Sequence, residues 1–69
     1  MKLYDVVALS TDLPALGLVA GQVGTAVLEL ADGVFEIEFA DLQGVAYAQV
    51  PLRRDQVMVL HHQPVRLAA

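Results

Sequence analysis

The segment Val34-Phe35-Glu36-Ile37-Glu38-Phe39-Ala40 restricts the fold more than any other part of the chain. Large apolar residues alternate with carboxylates at a period of two, the spacing of a strand with one dry and one wet face. Wound as a helix, the same residues would scatter charge around the core. Just before it, Ala31-Asp32-Gly33 places an Asp-Gly between two β-like runs, a hairpin signal because the tight turn needs positive φ. A hairpin cannot stand alone in water, so other strands must cover the face of Phe35, Ile37 and Phe39.

The rest of the sequence supplies them. Asp5–Ser10 reads as a first strand whose apolar residues run together, as in a strand buried on both faces. Thr11 to Gly21 forms a loop, with Asp12-Leu13-Pro14 as a turn because proline pushes Leu13 towards an extended shape. Leu16 and Leu18 in this loop are expected to cap one end of the core. Gln22–Leu30 is the second strand, with Gly24, Ala26, Leu28 and Leu30 inward. Gly24 marks a strong bend or a close backbone approach. Asp41–Gly44 makes a turn, and Val45–Leu52 is the fourth strand, with Ala48, Val50 and Leu52 inward and Tyr47 on the other face. Pro51 lacks a donor and places that end at an edge or a bulge. Arg53–Gln56 suits one short helical turn, and Val57–Leu60 is the fifth strand.

Five short strands, a long first loop and one helical turn before the last strand give an all-β class, a small five-stranded SH3-like barrel over residues 1–62. Pro64 and the terminal alanines make 63–69 a flexible tail. The chain of 69 residues is one domain. At this size folding buries only about 60% of the unfolded surface, so the core must be dense in apolar groups. The hydrophobic fraction of 57% against 17% charged meets that need: either nearly all of it is packed inside, or some apolar surface remains for a partner.

The stretches Asp5-Val6-Val7-Ala8-Leu9, Leu13-Pro14, Gly17-Leu18 and Gly21-Gln22-Val23-Gly24-Thr25-Ala26-Val27 resemble the opening of a family of small bacterial domains of unknown function. Phe35–Phe39 matches that family's next segment, and Ala46–Leu52 matches loosely the strand after it. The likeness spans Leu3 to about Leu60. Gly21–Val27 also resembles the glycine-valine core of KOW-type motifs and of the SH3-like domains in nitrile hydratase subunits. The family resemblance implies a fold and no established activity; its members look like companion proteins, in some settings of a toxin-like neighbour.

Chemistry is sparse. With no cysteine there is neither a disulfide framework nor a thiolate zinc site. His61-His62 are adjacent, and neighbours in an extended chain point to opposite sides, so they do not make one metal site. Glu29, Glu36 and Glu38 form a candidate carboxylate cluster whose ordinary reading is a water-facing ladder. Ser10, Asp12 and His61 name a triad on paper, without a nucleophile elbow around the serine. Gly21-Gln22-Val23-Gly24 lacks the lysine and following helix of a phosphate loop. No cofactor and no catalysis are expected.

These observations point to a non-catalytic protein-interaction module, an accessory or antitoxin-like partner or a self-associating subunit. Its contacts are expected at Leu13, Leu16, Leu18 and Tyr47. The alternative is a KOW-like nucleic-acid-binding module using Lys2, Arg53 and Arg54. A net charge of −4 opposes it, because phosphate binding draws on clustered cations. No stretch is long and apolar enough for a membrane span, and the expected location is cytoplasmic.

Overall fold

The computed structural model describes residues 1–64. Five antiparallel strands form one sheet: β1 (Val6–Leu9), β2 (Val23–Ala31), β3 (Val34–Ala40), β4 (Ala46–Arg53) and β5 (Val57–Val59), in the order β4-β3-β2-β1-β5. The helical content is two single 3₁₀ turns, Pro14–Leu16 and Arg54–Gln56. The expected tail lies largely beyond the described residues; within them, 61–64 are exposed.

The register shows that the sheet must curl. Arg53 stands opposite Val34, and Val34 opposite Ala31, at the hairpin end of β2. Val57 stands opposite Leu9, whose N–H donates to the Gln22 carbonyl at the other end of β2. Across a flat sheet those two points would lie about 30 Å apart along the strands and about 19 Å apart across them. The chain from Arg53 to Val57 reaches at most about 14 Å. Only a sheet bent until β4 and β5 approach each other satisfies both.

Bulges supply part of the bend. Two interrupt β2, making Val27 and Leu30 its extra residues, and a third makes Tyr47 the extra residue of β4. Gly24 permits the tightest contact. A Cβ there would sit 2.6 Å from Ile37 Cγ2 and 2.9 Å from the Glu38 carbonyl oxygen.

The core comprises Val7, Leu9, Leu18, Ala26, Phe35, Ile37, Phe39, Val50 and Leu52, with Met1, Leu13, Ala48, Val57 and Val59 packed against it. β3 alternates inward and outward over its whole length, as its sequence demands. Three expectations need correction. β1 is buried on one face only, with Val7 and Leu9 inward and Val6 and Ala8 half-buried behind them. Leu28 and Leu30 are 51% and 47% exposed, because the first bulge sets Leu28 opposite Glu36 on the wet face and the second makes Leu30 its unpaired residue. Of the two loop leucines, Leu18 caps the core at 2% exposure and Leu16 does not, at 55%.

Candidate interaction surface

The loop from Ser10 to Gln22 and the turn from Asp41 to Val45 lie at the same end of the sheet, beyond Leu9, Val23, Ala40 and Ala46. Both are tied down by their own side chains. In the loop, Leu13 and Leu18 exchange backbone hydrogen bonds across the Pro14–Leu16 turn. Gly17 closes that turn at φ 70°, a conformation that glycine adopts without strain. Asp12 Oδ1 accepts the Ala20 N–H at 2.8 Å. In the turn, Asp41 Oδ1 accepts from both Gln43 N–H and Val45 N–H, at 2.9 and 3.0 Å.

Gln22 joins the loop to β4. Its Oε1 accepts the Val19 N–H at 2.6 Å, and its Nε2 donates to the Tyr47 hydroxyl at 3.1 Å. The bulge in β4 leaves the Tyr47 ring beside Phe39, with centroids 6.3 Å apart, and the residue stays 49% exposed. Leu16, Val19, Leu42, Val45 and Tyr47 are all exposed at this end. Several apolar side chains held out on a pinned framework cost little conformational entropy when a partner covers them.

Of the residues singled out by sequence, Leu16 and Tyr47 present side chains here. Leu13 is half-buried against the core, and Leu18 belongs to the core and offers a partner nothing. Val19, Leu42 and Val45 were not singled out. For Val19 and Leu42 the signal is an apolar residue inside a loop or turn; Val45 reads as the start of the fourth strand, which in the structure begins at Ala46.

The other candidate constellations are not assembled. Arg53 Nε is 3.1 Å from Asp55 Oδ1, an exposed pair that meets the arginine charge locally. Lys2 lies on the N-terminal segment, where its backbone N–H donates to Asp5. Glu36 and Glu38 share the wet face, Glu38 accepting from Gln49 Nε2 at 2.9 Å. Glu29 stands opposite inward-facing Phe35 and does not join them. Among the described residues no three His, Asp or Glu side chains are grouped to hold a metal ion. His61 follows Leu60, whose N–H donates to Val6, while Ser10 lies about 13 Å further along β1, so the paper triad is dispersed. No helix among the described residues is long and apolar enough to cross a membrane.

The sheet edges are also poor docking sites. Glu36 opposite Pro51 must be a non-hydrogen-bonded pair, since proline has no N–H. By alternation Gln49, Pro51 and Arg53 turn their backbone groups outward from β4. Pro51 has no donor there, and the Arg53 N–H is taken by Gln56 Oε1 at 2.9 Å. On β5 the Val57 N–H is returned to the Arg54 carbonyl. Strand addition therefore finds few free donors on either edge.

No curated protein and no solved structure matches the chain. A family model does match it, over residues 3–59, and that span contains all five strands and the whole loop end. The chain belongs to this family, the domain of unknown function DUF4926.

Proposed function

We propose that this DUF4926 domain is a non-catalytic protein-interaction module, an accessory or antitoxin-like companion, working in the bacterial cytoplasm from an SH3-like barrel. The observation that carries the reading is the loop end: Leu16, Val19, Leu42, Val45 and Tyr47 stay exposed although Asp12, Gln22 and Asp41 fix the backbone beneath them. The strand order and the short Arg54–Gln56 connection support the barrel. A pinned apolar surface of this kind costs solubility and is maintained where it is covered in use.

The test is co-purification from the native host with the wild-type chain and with the double variant Leu16→Ser, Leu42→Ser. Both positions are exposed, Leu42 completely, so the variant should melt like the wild type. A partner retained by the wild type and lost by the variant supports the proposal. A chain that sediments as a monomer and retains nothing, or a partner held equally by both forms, overturns it.

A further inference from the structure

We infer that the surface around Tyr4, towards the hairpin end of β2, docks a second copy of this chain. The inference goes beyond the interaction-module reading and leaves the loop end free for the companion. Lys2–Asp5 is a β-turn in which the Asp5 N–H donates to the Lys2 carbonyl at 3.1 Å. Tyr4, its third residue, stands at φ 69°, the conformation for which a type II turn takes glycine or asparagine. Tyr4 also opens a bulge against β2: its N–H donates to the Ala26 carbonyl at 2.6 Å, and the Ala26 N–H donates to the Asp5 carbonyl at 2.9 Å. A bulge of this form takes glycine at that place as well. Among the described residues no other non-glycine residue has a positive φ. Glycine would serve both the turn and the bulge without strain, and the tyrosine ring offsets its strain with little burial, being 74% exposed. A strained residue whose side chain adds so little to its own fold marks a functional surface.

The register supplies the rest of that surface. The bulge at Val27 turns Leu28 outward opposite Glu36, and Leu28 lies about 8 Å from Tyr4 by strand spacing. Leu3 is exposed beside Tyr4. This apolar centre has Lys2 on one flank, exposed on the turn, and Glu36 on the other, half-buried on β3. Neither forms an ion pair among the described residues. Of the other charges nearby, Asp5 accepts from the Lys2 backbone and Glu38 from Gln49, while Glu29 and Asp32 lie further along, towards the hairpin. A two-fold axis through the apolar centre brings Lys2 of each copy to Glu36 of the other and Tyr4 onto Leu28, so the patch complements itself. So few side chains cover less than the roughly 800 Å² per partner of a standard interface. The dimer therefore dissociates at roughly 0.1–1 mM, and the chain is a monomer at micromolar concentration.

Sedimentation and backbone amide shifts of the full chain are followed from about 10 µM to about 2 mM, across the expected dissociation range. The amides of Leu3, Tyr4 and Leu28 should move with concentration, and those of Leu16 and Leu42 should not. Tyr4→Gly should raise the melting temperature of the dilute chain by about 2–5 °C and weaken the dimer roughly tenfold. A residue with only a structural role would not move the two in opposite directions. Lys2→Glu and Glu36→Lys should each weaken self-association several-fold. An equimolar mixture of those two variants should restore it, since each chain then offers the other the missing charge. A wild-type chain that stays monomeric throughout, or a dimer that Tyr4→Gly leaves unchanged, overturns the inference and leaves the loop-end module standing. So do a mixture that stays monomeric, a lower melting temperature for Tyr4→Gly, and a dimer that Leu16→Ser, Leu42→Ser dissolves. If Tyr4→Gly instead releases a co-purifying protein from a monomeric wild type, the surface belongs to that protein and the second copy is overturned.

Discussion

Strands β2 and β3 lie side by side and both alternate in sequence, yet only one of them alternates in space. In β3, Phe35, Ile37 and Phe39 go in and Glu36 and Glu38 go out without interruption. In β2, Gly24 and Ala26 go in, after which two bulges put Leu28 and Leu30 into water. The difference lies in what a slip would cost. Moving β3 by one residue would bury two carboxylates, at several kcal/mol each. Moving β2 beyond Ala26 exchanges Val27 for Leu28, one aliphatic for another, and sets Glu29 opposite Phe35 near the hairpin end, where it stays exposed, so backbone geometry decides. Two carboxylates in mid-strand pin the register of β3; one near the hairpin end of β2, free to stay in water, does not.

The largest expected effect tests the pinned strand. Phe39 is fully buried against Tyr47 and Gly24. Phe39→Ala should cost about 3–5 kcal/mol, which is most of what a core of this size supplies. The variant should lack a cooperative thermal transition by circular dichroism at room temperature and above. A near-native melt would mean that β3 is not the centre of the core.

The same reasoning separates what was legible in the sequence from what was not. Phe35–Phe39, the Asp-Gly turn, the helical turn at 54–56 and the edge position of Pro51 each have a local cause in covalent geometry or charge, and each is where the residues place it. The fates of Leu16, Leu18, Leu28 and Leu30 have no local cause. Leu16 and Leu18 sit in an uncharged stretch of the loop and Leu28 and Leu30 flank Glu29, and burial is assigned by the bulges in β2 and by the Leu13–Leu18 bridge. Of the contacts read from sequence, Leu16 and Tyr47 are exposed at the loop end, Leu13 is half-buried and Leu18 lies in the core. The turn residues Leu42 and Val45 join the loop end through sheet topology.

A second variant probes the contact between the two strands. Gly24→Ala places a methyl against the Glu38 carbonyl and Ile37 Cγ2, and the carbonyl can retreat only by loosening the ladder. Overpacking of this kind costs about 1–3 kcal/mol. The urea midpoint should fall with an unchanged m-value. A neutral result would show that β2 and β3 leave room for a methyl group at Gly24.

Tyr47→Phe is smaller still and tests the bulge in β4. It keeps the ring beside Phe39 and removes only the acceptor for Gln22 Nε2, in an exposed bond. A loss of about 0.5–1 kcal/mol is expected from a single neutral hydrogen bond. The amide of Val19, held by the same glutamine, should exchange with solvent faster in the variant. An unchanged Val19 amide would disconnect the loop from β4.

The smallest effect is the most discriminating for the comparison of β2 with β3. Leu28 follows Gly24 and Ala26 at a period of two, and a regular strand would bury it beside Ile37. A buried leucine lost to a small residue costs about 2–5 kcal/mol, more if the replacement is polar. With Val27 as the extra residue, Leu28 instead faces outward opposite Glu36 at 51% exposure. Leu28→Ser should then change stability by no more than about 0.5 kcal/mol, the usual range for an exposed site. Solvent, not neighbouring side chains, surrounds much of this leucine, so its removal leaves no cavity to collapse. Denaturant titration of Leu28→Ser beside Ile37→Ser separates the two cases, since Ile37 is fully buried and its loss should approach that of Phe39→Ala. Equal losses in the two variants would mean that β2 runs straight past Ala26, with Leu28 restored to the core.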